Sequence, residues 1–216
     1  MNEIIFFIHI FLLFASIGLA KRFGKEALSI IISLQIVLAN LFVTKQITLF
    51  GLEVTSTDAY MIGSLVGMNV LQEFFGKDAA KKILSFNTLV LVFFTFAALI
   101  QVIYKPSLHD QFHSSFSEIL SVSPRVFISS IISFFISQKI DIELFALFRK
   151  KCSLPLAMTF SLLISQAADT LLFGYLALYG IVHSLFSIII MSYAIKLITL
   201  FSMAPLTSFF KKARTQ

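Results

Sequence analysis

Glu73, Asp141, Asp169 and Lys196 lie well inside long apolar runs. A charge at mid-bilayer costs roughly 2.5–3.5 kcal/mol on insertion scales, so such residues mark binding, ion or proton chemistry by default. Amides accompany them. Asn69, Gln72 and Glu73 follow i, i+3, i+4 spacing, which puts all three on one helix face. Residues 136–145 (ISQKIDIELF) and 164–173 (ISQAADTLLF) are two copies of one pattern, ISQ-x-x-D-x-x-L-F. In each copy the glutamine sits one turn before the aspartate, as Gln138 before Asp141 and Gln166 before Asp169. Consecutive spans run antiparallel, so the copies point in opposite directions. At about 1.5 Å per residue the glutamines fall near the midplane and the aspartates on either side of it. Opposed polar clusters at mid-depth are the arrangement of a transporter site. Polar glue between helices is the plain alternative, and two buried aspartates are a costly form of it.

Lys196, one turn after Tyr193, is the natural counter-charge for Asp141, Asp169 or Glu73. A purely structural salt bridge fits it as well as ligand contact does. Glu73 lies about one turn from the basic loop starting at Lys77, so an interfacial, water-exposed role competes with a binding role. Lys139 and Glu143 sit nearer the end of their span and can snorkel or pair with each other. Gly63 and Gly67 form a small-xxx-small stripe, read as a packing device that also permits a homodimer. His109 and His113 flank Asp110 without a third strong ligand, which is a solvated loop rather than a metal site. His9 needs no more than packing or one interhelical hydrogen bond. The single Cys152 gives neither disulfide nor metal cage. Phosphate-loop, nucleophile-elbow and zinc-helix motifs do not occur, so the chain is read as no enzyme, with no metal and no cofactor.

These residues need elements to hold them. Of 216 residues 58% are hydrophobic and 13% charged. That excludes an ordinary soluble domain and a disordered chain. A membrane helix needs roughly 20 apolar residues, so the composition supports about six or seven spans. The apolar blocks are 4–20, 27–43, 58–75, 83–103, 125–148, 154–179 and 183–210, the third being the most polar. Solid runs without alternation indicate helices, not a barrel. The fold class is thus an all-α polytopic membrane bundle of about seven helices in one domain, residues 1–216. The first block lacks a positive n-region and is followed by Lys21, Arg22 and Lys25, which suits an uncleaved helix rather than a signal peptide.

The net charge of +6 does not point to nucleic acid, because the basic residues lie in short runs between apolar blocks. One side carries Lys21, Arg22, Lys25, Lys77, Lys81, Lys82, Arg149, Lys150, Lys151, Lys211, Lys212 and Arg214; the other carries Lys45, Lys105 and Arg125. By the positive-inside rule the first side is cytoplasmic, with the N-terminus outside and the C-terminus inside. The external loop 105–124 is too small to be a domain.

Five stretches, in order, resemble the queuosine precursor transporter family, also known as a vitamin uptake transporter family. They are 39–45 (ANLFVTK), 71–77 (LQEFFGK), 136–145, 161–173, and 193–196 (YAIK) with Pro205. The resemblance runs from about the second span to the end, so 27–210 corresponds to a six-helix family core and 1–26 to an extra N-terminal helix. Two departures stand out: Asn69 where the family usually has Asp, and 156–160 (LAMTF) where it usually has Arg shortly before Ser161. The resemblance implies a bacterial inner-membrane protein importing 7-deazaguanine bases, such as preQ0, preQ1 or queuine, for tRNA modification. The implied site residues are Asn69, Gln72, Glu73, Gln138, Asp141, Gln166, Asp169 and Lys196, with Asp141 and Asp169 gripping the base edge. Phe145 and Phe173 would stack on the ring. The partners are then a small-molecule base and the lipid bilayer, with no direct nucleic-acid contact. A substrate-binding membrane subunit of a separate energised uptake complex is the alternative.

Overall fold

The computed structural model describes residues 1–43, 45–55, 57–120, 124–180 and 185–210. Its apolar blocks fold as helices: α1 (Asn2–Arg22), α2 (Lys25–Leu41), α3 (Asp58–Phe75), α4 (Lys77–Ile103), α6 (Pro124–Arg149), α7 (Leu154–Phe173) and α8 (Leu185–Met203). A π-helical turn, Gly174–Leu178, extends α7, and a 3-10 segment, Ala204–Phe209, follows α8 where Pro205 ends regular helix. Among the described residues, four helices are long and apolar enough to cross a membrane, or five if α5 (His113–Leu120) and α6 form one broken span. Seven spans are therefore met only in part. The seventh block's start at His183 and the basic residues Lys211, Lys212 and Arg214 lie outside the described residues.

The two shortfalls have physical causes. α2 has 17 residues, about 25 Å of helix against roughly 30 Å of hydrocarbon. α3 carries Asp58, Asn69, Gln72 and Glu73, and from Ile62 to Gln72 every residue is buried. A helix enclosed by protein need not be apolar on every face, and α3 is that central helix: α1, α2, α4, α6, α7 and α8 all pack on it. Its glycines allow the closest approach. A Cβ at Gly63 would lie 2.6 Å from Gln35 Oε1, and one at Gly67 would lie 2.8 Å from Ile32 Cγ1, both on α2. The small-residue stripe is thus used within the chain and offers no surface to a second copy.

Two elements were not expected. β1 (Gln46–Leu49) pairs antiparallel with β2 (Leu52–Thr55) through a two-residue turn, Phe50 at φ 52° and Gly51 at φ 79°. Positive φ at both central residues gives the turn the twist that a tight hairpin needs. The hairpin is tied to the start of α1: Asn2 Nδ2 donates to Thr48 O at 3.0 Å, and Phe50 N donates to Glu3 Oε1 at 3.2 Å. The second is α5, in the loop between α4 and α6. Asp110 prepares it, its Oδ1 accepting from the backbone of Phe112 at 2.8 Å and His113 at 3.1 Å. Asp110 serves backbone capping there.

The bundle has a hairpin end and a basic end. At the basic end Lys21 stands 3.5 Å from the Phe74 ring centre, and Glu143 pairs with Lys77 and with Lys81 (3.0 Å). Glu143 therefore joins α6 to α4 instead of pairing with Lys139. At the hairpin end Arg125 donates to Leu176 O and Tyr179 O, each at 2.8 Å. A cation there satisfies carbonyls left over at the end of α7.

Candidate functional site

The chemistry-bearing residues fall into three tiers along the bundle. The first is a cavity of about 490 Å³ near the hairpin end, within the roughly 300–1,000 Å³ typical of small-molecule sites. Its walls come from the ends of α2, α3, α6, α7 and α8 and from the hairpin, including Gln46, Val54 and Thr55. At its floor Lys196 Nζ donates to Asp169 Oδ2 at 2.7 Å and to Thr170 Oγ1 at 3.2 Å. Ser137 Oγ donates to the other oxygen of Asp169 at 3.1 Å. Lys196 is held in place because Tyr193, one turn earlier, donates to Leu163 O at 3.0 Å and fastens α8 to α7.

Asp58 also lines this cavity. It is buried, within electrostatic reach of both Lys196 and Asp169, and makes no ion pair among the described residues. Two carboxylates and one ammonium thus face a single space. Asp58 escaped notice in the sequence because it opens an apolar block, where an aspartate reads as a helix-start residue. No sequence signal separates it from a cap: that α3 starts without a side-chain capping bond, which frees Asp58 from that role, is visible only in the fold. Phe173 and Phe134 supply aromatic surface to the cavity, whereas Phe145 is fully buried in the core and does not reach it.

The second tier lies on the order of 10 Å deeper, given the helical rise between Asp169 and the level of Ser161 and Ser165. Asp141 is fully buried, with Ser161 and Ser165 of α7 and Asn69 of α3 facing it. These three groups lie within hydrogen-bonding reach of its carboxylate, but among the described residues none closes a well-aligned hydrogen bond to it. Both polar atoms of Asn69, both of Gln138, and Oε1 of Gln72 and of Gln166 also lack a protein partner. Gln72 Nε2 donates to Ile142 O at 2.9 Å and links α3 to α6. None of Asn69, Gln72, Gln138, Asp141 and Gln166 lines the cavity.

The third tier closes the basic end. Arg149 holds Glu73 with both arms, Nε to Oε2 at 2.9 Å and Nη2 to Oε1 at 3.0 Å, and its Nη1 donates to Cys152 O at 2.9 Å. This bidentate clasp occupies both oxygens of Glu73. Glu73 is thus apart from the cavity, fastened at the interface end of α3.

The repeat explains how the first two tiers relate. Ser137, the serine of the first ISQ, reaches Asp169 of the second copy. Ser165, the serine of the second ISQ, faces Asp141 of the first. The exchange is reciprocal, as an inverted repeat on antiparallel helices requires.

Comparison with known proteins agrees with this architecture. A family model described as "Putative vitamin uptake transporter" matches residues 57–210, taking in every charged residue of the three tiers but not the cavity walls from α2 and the hairpin. A "Probable queuosine precursor transporter" of Bacillus subtilis (strain 168) is 30% identical over 192 residues, covering 83% of this chain and 83% of the relative. Among solved structures there is no significant match. The helices long and apolar enough to cross a membrane make this a multi-pass membrane protein, and the chain belongs to the vitamin uptake transporter family, a family of transporters and not of enzymes.

Proposed function

We propose that this chain is a carrier that imports queuosine precursors, 7-deazaguanine bases such as preQ0, preQ1 or queuine, across the bacterial inner membrane. In this reading all seven apolar blocks cross the bilayer, the hairpin end faces outward and the basic end faces the cytoplasm. The printed description of the Bacillus subtilis relative supports the substrate class. The single observation that carries the reading is the cavity at the hairpin end with Asp58, Asp169 and Lys196 on its walls.

The chemistry of the base suits those walls. A deazaguanine presents N1–H and a 2-amino group side by side, and one carboxylate accepts both. Asp169 already gives one oxygen to Lys196 and the other to Ser137. Asp58 has no such partner among the described residues, so it takes the base edge. Lys196 has a third N–H for O6 of the base, since only two of its donors are engaged. Phe134 and Phe173 provide faces for a flat ring. Ser133, whose buried hydroxyl has no partner, offers one more hydrogen bond.

The test is rescue of queuosine in tRNA. A host lacking both its own transporter and base synthesis is fed each base in turn while expressing this chain. At least one base restores the modified tRNA, and Asp58→Asn at equal expression needs about tenfold more of that base to do so. Failure of every base removes the substrate assignment. Uptake by the purified chain alone in liposomes separates a carrier from a binding subunit that needs an energised partner.

A further inference from the structure

Asp141 and Asp169 occupy equivalent positions in the two copies of the repeat, and each meets the serine of the other copy. They differ in one respect. Asp169 has a cation, the Lys196 ammonium, at 2.7 Å. Among the described residues, no basic side chain pairs with Asp141. The groups facing Asp141 are neutral on every side: Ser161 and Ser165 on α7, and Asn69 on α3. α4 contributes charge only near its start, where Lys77 and Lys81 hold Glu143, and Glu73 of α3 is held by Arg149. On α6 itself Gln138 lies one turn away and Lys139 is exposed.

An ionised carboxylate buried without a counter-charge costs several kcal/mol, and neutral neighbours do not cancel it. The neighbours are moreover rich in lone pairs. Ser161 Oγ also lies 3.2 Å from Met158 O and Ser165 Oγ 3.5 Å from Leu162 O, and whichever acceptor takes its one hydrogen, each hydroxyl keeps lone pairs free. Oxygen atoms with free lone pairs around a carboxylate are what a hard cation seeks. The amide oxygens of Asn69 and Gln138, also without protein partners, extend that set.

We propose that Asp141 seats a monovalent cation, a proton or a sodium ion, at the position that the Lys196 ammonium fills for Asp169, and that this cation drives uptake. The proposal rests on the carrier reading above and adds its energy source. The site lies beneath the cavity and is distinct from it, so the base and the cation bind at separate levels of one path. Asn in place of Asp141 has nearly the same shape and mimics the neutralised state. It should leave exchange of the base intact while abolishing its coupling to an ion gradient.

The experiment uses the purified full chain in liposomes and a radiolabelled base that restores modified tRNA. Counterflow without any ion gradient tests the carrier alone. Accumulation is then measured under an inward NaCl gradient at fixed pH, and under an inward pH gradient in sodium-free choline buffer. The wild-type protein should accumulate the base at least tenfold under one of the two gradients, which identifies the cation. Asp141→Asn should exchange the base in counterflow and accumulate none. Wild-type counterflow with accumulation indifferent to both gradients overturns the cation site and leaves the carrier standing. Full gradient-driven accumulation by Asp141→Asn does the same. Absence of wild-type counterflow removes the carrier reading and this inference together. If Asp141→Asn does not exchange the base or does not fold, Ser161→Ala and Ser165→Ala decide the matter. At least a threefold rise in the sodium or proton concentration needed for half-maximal accumulation supports the site, and an unchanged requirement overturns it.

Discussion

Replacing Lys196 by Met should expose how the cavity floor is held. At 2.7 Å and an effective dielectric of about 20, the attraction between Lys196 and Asp169 is on the order of 6 kcal/mol before desolvation. Burying the two charges costs several kcal/mol each, so the intact pair gives little net stability. Taking away one partner is different. Without Lys196, buried Asp169 keeps only the Ser137 hydroxyl at 3.1 Å, and the expected loss is about 3–5 kcal/mol. For a chain of this size that is about a 10 °C fall in unfolding temperature. The double variant Lys196→Met with Asp169→Asn removes both charges and should recover most of that loss. It should still fail to restore queuosine, because the Lys196 ammonium that would meet O6 of the base is gone. Thermal unfolding of the detergent-purified protein and tRNA rescue measure the two effects separately. A Lys196→Met protein within about 1 kcal/mol of wild type, or a double variant no more stable than the single one, would refute the pairing argument.

Asp58→Asn should raise the concentration of base needed for half-maximal uptake about tenfold, equivalent to about 1.4 kcal/mol, with little change in unfolding temperature because no ion pair is broken. Glu73→Gln should loosen the clasp at the basic end by about 1–2 kcal/mol, less than the Lys196 pair because Arg149 is partly in water. The chain's one cysteine reports it: maleimide labelling of Cys152, whose carbonyl Arg149 holds, should become several-fold faster. Gly67→Ala places a methyl group 2.8 Å from Ile32 Cγ1, and should cost about 1–3 kcal/mol in a thermal unfolding measurement.

The helices were legible because apolar length is a strong signal, and so was the grouping of the charges in the described residues, with Lys21, Lys77, Lys81 and Arg149 meeting at one end. The candidate residues were legible as a set, since each is a polar group in an apolar run. Their division into tiers was not. Spacing places Gln138 and Asp141 on one face, but only packing decides whether that face meets a cavity or a closed seam. Glu73 was readable either as ligand or as interface residue, and its fate turned on Arg149, 76 positions away in sequence. The hairpin stayed hidden because two four-residue strands carry too little alternation, and its turn is Phe50-Gly51 instead of an asparagine-glycine pair.

The unequal treatment of the two aspartates bears on how a carrier can move its cargo. A tight, fully satisfied site would hold the base and stall. Here the cavity floor is satisfied by the chain itself, while the seam beneath it holds Asn69, Gln72, Gln138, Asp141 and Gln166 with polar atoms that no protein group pairs. Each such group costs about 1–3 kcal/mol when nothing satisfies it. Several together rival the 5–15 kcal/mol by which a domain is stable. In the proposed carrier, water, the cation or the base satisfies them. A rigid helix contact gains nothing from such groups, whereas a path that opens between α3, α6 and α7 needs polar groups along it. The Glu73–Arg149 clasp and the Glu143 pairs stand below that seam and join α3 to α6 and α6 to α4. They are the contacts that must part for the seam to open toward the basic end. In the proposed carrier this state, with its cavity at the hairpin end and its clasps at the basic end, is the one that takes up cargo from the hairpin side.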